Sequence, residues 1–481
     1  MTMATNGYGV ARRDGGRTAL EPGTVEALRE GLRGSLITAG DAVYDSARRV
    51  WNGMIDKSPA LIVRCAGTAD VISAVNFARQ HGLLTSIRGG GHNVAGTALV
   101  DDGFVIDLSE MRCVHVDPSR RLARAEGGAR LGDLDHETQA FGLAAPVGVV
   151  SATGVAGLTL HGGAGWLLRK HGFSIDSLSS AEIVTADGQL LKASQNGNSD
   201  LFWAIRGGGG NFGVVTSLEF HLHPVGPQVW MAVPVYPLEQ AEGVLAGLRD
   251  HMANADEALM VVAVFWSAPD VPAVPDALRG TPAVIILGCY TGPFEHGERA
   301  IDPLRRLGVP IADLSAPMSW IQVQRFLDED YPDGGFYYWK SLYLDRLDAD
   351  VIGTLSRYTN NRPSPISSID VWMLGGAASR APASETAFCR RDAPYMLGIE
   401  ANWQRREDSE TNIQWARALY DDMQQFSREG IYLNFPGFIE DREALLRAAY
   451  GRNLQRLREV KARYDPGGVF SGILSTNPQV G

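Results

Sequence analysis

No stretch of this sequence stays apolar long enough to cross a bilayer, which takes about 20 residues, so no membrane contact is expected. Cysteine is sparse. Cys65, Cys113, Cys289 and Cys389 lie far apart and form no CxxC pair. That spacing argues against a disulfide framework or a zinc ribbon and suits a reducing, cytoplasmic setting. The GxSxG elbow of serine hydrolases and the HExxH signature of zinc proteases are both missing. No run of Lys and Arg stands out, and the formal net charge is -11, which repels a phosphate backbone and argues against nucleic acid as a partner. Residues 1–20 lack the apolar core of a signal peptide and read as most of a flexible leader covering 1–22.

Glycine is what the chain has in excess, 55 of 481 residues, and much of it is gathered into three loops. The first loop, 88–96, follows an apolar strand (83–87), itself preceded by a strand (59–63) and a helix (69–81). Its Gly89, Gly90 and Gly91 let backbone N–H groups approach an anion, and Arg88 adds a positive charge. His92 closes that run, either against a ligand or as a solvated residue in a tight turn. The second loop, 148–165, carries Gly148, Gly154, Gly157, Gly162, Gly163 and Gly165, a density that regular structure does not tolerate. A flat or extended ligand would justify it, and so would a pair of turns at a barrel corner. In the third loop, 206–213, Gly208, Gly210 and Gly213 match GxGxxG. A dinucleotide fingerprint must open a helix, whereas 214–222 reads as a strand, so the Rossmann reading is rejected.

Around residue 225 the pattern changes. Long strands (229–236, 258–266, 283–292, 336–344, 368–374, 395–403) alternate with amphipathic helices (238–253, 296–306, 347–359, 411–427). This predicts an α+β chain of two domains, with cofactor loops in 23–225 and a large, mainly antiparallel sheet in 226–428. The remainder, 429–481, is predicted to hold a strand and a helix (441–462) and to return to the first domain. His221 and His223 alternate on a strand and read as exposed residues, so no metal is expected.

The motifs RGGGHNVAG (88–96), PVGVVSATGVAGLTLHGGAGWLLRKHG (146–172), DLFWAIRGGGGNFGVVTSLEF (200–220), YYWKS (337–341), YLNF (432–435) and YGRNLQRLREVKARYDP (450–466) together resemble the berberine bridge enzyme-like flavoproteins of the vanillyl-alcohol oxidase superfamily. The resemblance covers about 30–475 and is closest to the bacterial branch. It implies FAD held by Arg88 to Asn93, Gly96, Val149, Thr153, Gly154, Gly157, Leu158, Gly162, Gly163, Gly165, Asn211, Gly213, Val214 and Asn434. His92 falls on the histidine that bonds the flavin covalently. Val150 stands where many members have a second, cysteine link, so a single bond is implied. Thr153 stands at the position described as the oxygen gate. Phe435 replaces the tyrosine that often serves as base, and phenylalanine cannot accept a proton.

Another base is therefore needed. On 395–403, alternation puts Met396, Gly398, Glu400 and Asn402 on one face. The resemblance makes that face cavity-lining, so Glu400 is the first candidate and a salt-bridged or solvated glutamate is its alternative. Tyr432 and Tyr338 follow as further candidate bases or as structural hydrogen-bonding residues, Tyr338 beside Lys340 on one strand face. Trp372, Met396, Asn402, Lys340 and Phe435 are the expected substrate contacts, for a small molecule that is aromatic or polycyclic. The expected activity is an FAD-dependent oxidase that takes hydride from a C–H bond and passes electrons to molecular oxygen, in oxidative tailoring or cyclisation of a secondary metabolite. A sugar or alcohol oxidase or dehydrogenase of the same fold is the alternative, and a flavin-bearing binding protein is the alternative of another class.

Overall fold

The computed structural model describes residues 7–428 and 430–474; the expectations for 1–6, 429 and 475–481 lie outside them. A four-stranded sheet takes the order Ser35–Ile37, Leu61–Arg64, Phe104–Asp107 and Thr85–Arg88. Its last three strands run parallel. The crossover helix Thr68–His81 ends at Gly82, whose φ of 63° is the left-handed stop that glycine permits. A five-stranded antiparallel sheet follows, built on Leu178–Val184, Val214–His221 and Leu122–Glu126.

The residues that follow build a nine-stranded antiparallel sheet. Pro282–Tyr290, Leu259–Ser267, Ser368–Met373, Tyr395–Trp403 and Phe336–Leu344 follow one another in that order, the last of them at the edge. One face carries Val261, Ala263, Phe265, Val371, Leu397, Ile399 and Leu342 and is covered by the helices Ala241–Met252, Ala349–Asn360 and Ser409–Met423. The opposite face, with Val262, Val264, Trp372 and Met396, turns toward the first domain. Asp348 starts the middle helix by accepting from the Val351 N–H at 3.2 Å.

Four elements differ from the sequence-based expectation. Residues 7–20 are no free leader, because Tyr8–Ala11 and Arg17–Leu20 form a hairpin that buries Val10 and Leu20 against the first domain. Residues 229–236 are two strands, Gln228–Ala232 and Pro234–Pro237. Pro234 has no N–H for a ladder, and the Val233 N–H donates to the Ser315 hydroxyl at 2.9 Å. The single terminal helix is two, Arg442–Tyr450 and Leu454–Tyr464, parted at Gly451 with φ of 46°. The strand expected before it is a turn in which the Phe435 N–H donates to the Tyr432 carbonyl at 2.9 Å. The tail packs back against the glycine-loop region and the four-stranded sheet. Lys461 is buried against Asp465 and donates to the carbonyls of Asn211 and Phe470, and the Ser471 N–H donates to the Thr85 carbonyl at 3.1 Å.

Candidate active site

The inner face of the large sheet and the glycine loops enclose a cavity of about 300 Å³. Gly89, Gly90, Gly91, His92 and Asn93 line it, as do Val149, Thr153, Gly154, Gly157, Leu158, Asn211 and Gly213. The first two loops touch through their backbones. A Cβ on Gly90 would stand 2.4 Å from the Gly154 Cα, closer than any side chain allows. Among the described residues no backbone carbonyl accepts from the N–H groups of Gly89 to Asn93, which leaves them for a ligand anion.

His92 lies at the end of this wall with its ring stacked on Trp51, centroids 4.1 Å apart. Trp51 stacks in turn on Tyr337 at 3.7 Å, and its indole N–H donates to the Tyr331 carbonyl at 2.9 Å. The His92 Nε2 is buried without a hydrogen-bond partner. Burial lowers its pKa to about 3, so the imidazole is neutral at ordinary pH and keeps a free lone pair.

The sheet supplies the opposite wall. Glu400 lies across from Ser368 on one neighbouring strand and Trp339 on the other. Its Oε2 accepts from the Tyr331 hydroxyl at 2.7 Å. Burial, then the neighbouring Asp370 carboxylate, push its pKa well above the usual carboxylate range. Asp370 sits two residues before Trp372 on the same face, buried, with Oδ1 unpartnered; burial raises it to about 7. Met396, Trp372 and Phe435 line this wall, and Phe435 packs edge-on against Trp339 at 5.1 Å. The Tyr432 hydroxyl accepts from the Ala164 N–H at 2.9 Å and from Asn434 Nδ2 at 2.8 Å. Burial raises that phenol to about 12, so at neutral pH it carries its proton. Asn434 also donates to the Leu158 carbonyl at 3.2 Å.

Several expected site residues lie elsewhere. Tyr338 and Lys340 occupy the far face of their strand, because register sets Trp339 opposite Glu400 and so turns its neighbours away. The Tyr338 hydroxyl hydrogen-bonds Glu440 and Arg417, and the Lys340 ammonium lies 4.2 Å over the Tyr420 ring. Asn402 is on the expected face but sits behind Trp339, accepting from its indole N–H at 2.7 Å. Arg88 turns toward the Ala47 carbonyl and Asp107, its partner in the parallel ladder, while Ile87 faces the cavity. Val214 is buried in the first-domain core, and Val215 takes its place on the cavity wall. Gly96, Gly162, Gly163 and Gly165 are required by their own chain: a Cβ there would meet Ile55, Phe388, Ser174 or the Val147 carbonyl. His223, expected to be exposed, stacks on His171 at 3.7 Å and hydrogen-bonds Ser177.

Other cavity residues escaped sequence reasoning. Asp370 could have been found by alternation, since it lies two residues before Trp372 on one strand. Tyr331 and Trp51 lie in irregular segments with no period to read.

A family model described as FAD binding domain matches residues 59–194, and one described as Berberine and berberine like matches 431–475. An uncharacterized FAD-linked oxidoreductase of Bacillus subtilis is 32% identical over 91% of this chain and 96% of its own length. The chain belongs to the berberine bridge enzyme-like family of FAD-linked oxidoreductases. Another member, (R)-6-hydroxynicotine oxidase of Paenarthrobacter nicotinovorans, is 30% identical over 93% of this chain and 97% of its own. The crystal structure of 6-hydroxy-D-nicotine oxidase from Arthrobacter nicotinovorans superposes with a TM-score of 0.81 at 28% identity, over 91% of this chain and 96% of that one.

The cavity of this flavoprotein fits FAD on its own geometry. The unclaimed N–H groups at 89–93 suit a diphosphate. Gly157 belongs to the short helix Val155–Leu160 and, apart from its own helix turn, has nothing within 4 Å of where a Cβ would stand, so a flat ring can lie against its backbone. His92, whose Nε2 is without a hydrogen-bond partner, lines the same space.

Proposed function

We propose that this chain is an FAD-dependent oxidase that carries its flavin covalently on His92 and removes hydride from a C–H bond of a small apolar or aromatic substrate, with Glu400 receiving the accompanying O–H or N–H proton. The observation that carries this reading is the pairing of opposite walls: a neutral, unpartnered imidazole among the glycine loops and a buried, uncompensated carboxylate across the cavity. When bound, FAD supplies a two-electron acceptor that molecular oxygen can empty, with peroxide as product.

The residues divide the remaining work. His92, held flat by Trp51, presents a ring nitrogen whose lone pair is free. Asn434 and the Ala164 N–H orient the Tyr432 hydroxyl, leaving its proton to donate into the cavity. Trp339, Trp372 and Phe435 exclude water and give a ring system surfaces to stack on. Glu400, its carboxylate destabilised by burial, is a stronger base than a solvated glutamate once ionised. This apolar wall suits a secondary metabolite undergoing oxidative tailoring or cyclisation.

Anaerobic mixing with substrates, followed by loss of flavin absorbance, tests the reading. Glu400→Gln is expected to slow flavin reduction by roughly 10²–10⁴-fold, the usual range for a lost general base. An unchanged rate removes Glu400 from the reaction. Acid precipitation of the wild type is expected to bring the yellow chromophore down with the protein, and His92→Ala to leave it in the supernatant.

A further inference from the structure

His92 enters the cavity from a loop, and no hydrogen bond reaches its Nε2. What restrains the imidazole is Trp51, whose plane lies within 15° of it. Trp51 also holds the backbone beside the histidine, its N–H donating to the Gly91 carbonyl at 3.1 Å. Asn52 grips the other side, its Nδ2 donating to the Val94 carbonyl at 2.8 Å. Both residues are buried, in a segment without helix or strand.

Trp51 is itself held by the sheet. Tyr337, on the strand Phe336–Leu344, lies within 10° of parallel to the indole. Two near-parallel rings this close to one centroid can only occupy its opposite faces. Asn52 fixes the same strand, accepting from the Tyr337 N–H at 3.2 Å and donating to the Tyr337 carbonyl at 2.9 Å. The Trp51 carbonyl accepts from the Gly334 N–H at 2.8 Å. Imidazole, indole and phenol thus form one pile of three rings that runs from the glycine loops to the sheet. Neither Trp51 nor Tyr337 lines the cavity.

A nucleophile must point its lone pair at the atom it attacks, and fixing that direction is worth orders of magnitude in rate. An imidazole that tilts about its bond to Cβ would drive its edge into the indole. We propose that Trp51 is the positioning residue for attachment of the flavin to His92, and that it acts only once Phe336–Leu344 has docked behind it through Tyr337. The inference rests on the reading that His92 carries the flavin, and adds what controls the bond. The bond joins a ring nitrogen of His92 to a methyl carbon on the benzene ring of the flavin. One methyl proton and the imidazole N–H proton leave, and the flavin takes the two electrons. Molecular oxygen then removes electrons and protons as peroxide. The tether therefore forms after the two walls of the cavity have come together.

The test mixes the full chain, produced without flavin in riboflavin-starved cells, with FAD in air. Flavin retained on desalting measures binding, and flavin that precipitates with the protein in acid measures attachment. Trp51→Leu is expected to bind FAD and attach it at least tenfold more slowly than wild type, with Trp51→Met run beside it as a second loss of the flat ring. Trp51→Phe, which keeps a flat ring, is expected to stay within about threefold. Tyr337→Leu removes the outer ring, touches neither His92 nor the cavity, and is expected to slow attachment at least threefold. A purely structural role would lower bound flavin and melting temperature and leave the rate of attachment per bound flavin unchanged. That result in Trp51→Leu or Trp51→Met overturns the positioning role. The same result in Tyr337→Leu overturns the dependence on the docked sheet. A wild-type protein that releases all its flavin in acid instead overturns the reading of His92, and needs no variant to be seen.

Discussion

On the side formed by residues 89–93 and 153–158 the cavity meets mainly backbone; on the side formed by the sheet it meets the side chains of Glu400, Asp370, Trp339 and Trp372. The loop wall recognises by what glycine lacks. Chain can touch chain, as at Gly90 and Gly154, and amide N–H groups come within reach of an anion. The sheet wall recognises by what its side chains present, charge and aromatic surface on a rigid antiparallel frame. A backbone wall suits a constant partner such as a cofactor. A side-chain wall can change at single positions while the sheet stays intact, because its opposite face is packed independently against three helices.

The strongest way to break this contrast is to put a side chain into the loop wall. Gly90→Val would drive a Cβ to within 2.4 Å of the Gly154 Cα and 2.6 Å of its nitrogen, and backbone cannot step aside as a side chain can. The expected result is protein with less than about a tenth of the wild-type flavin, read from the ratio of flavin to protein absorbance, or no soluble protein at all. Gly157→Val is the sharpening control. Apart from its own helix turn, no part of the chain stands within 4 Å of that Cβ position, so only a bound ligand should object. That variant is expected to fold but to load flavin poorly. Full loading would mean that no cofactor lies against residue 157.

A smaller effect is expected on the sheet wall, where a charge can be removed without disturbing the frame. The folded-state pKa of Asp370 is raised to about 7 from an ordinary value of 3.8. The folded protein therefore holds a proton that the unfolded chain releases, and stability falls as pH rises from about 4 to 7 and then levels. Asp370→Asn removes that loss. Thermal unfolding at pH 8 is expected to show the variant more stable than wild type by an amount of order 1–4 kcal/mol, and the difference to vanish near pH 4. A constant difference across pH would mean that Asp370 is not ionising inside the fold.

The same contrast explains how much could be read in advance. The loop wall announces itself by its three glycine clusters, and Gly89 to Asn93, Gly154, Gly157 and Asn211 line the cavity. Glycines at 96, 163 and 165 look identical in sequence but answer to Ile55, Ser174 and Val147, contacts that only the fold creates. On the sheet, alternation finds which residues share a face within one strand, as with Met396 and Glu400. It does not say which face of the next strand joins them, because that depends on register across a connection of variable length. Hence Tyr338 and Lys340 were expected where Trp339 stands. Trp51, far from His92 in sequence and in an irregular segment, carries no periodic signal at all.

That parity can be checked by the mildest change. Tyr338 is fully buried, its hydroxyl shared between Glu440 and Arg417 on the helix-covered side of the sheet. Glu440 and Arg417 also pair with each other at 3.0 Å, so loss of the hydroxyl leaves neither charge alone. Tyr338→Phe is expected to cost about 1.5–3 kcal/mol of stability, the range for a hydrogen bond to a charged group. Its flavin reduction rate should stay within about twofold of wild type, because no atom of the ring reaches the cavity. A catalytic base in that position would instead lose two or more orders of magnitude, and such a loss would place the reacting atoms on the wrong face of the sheet described here.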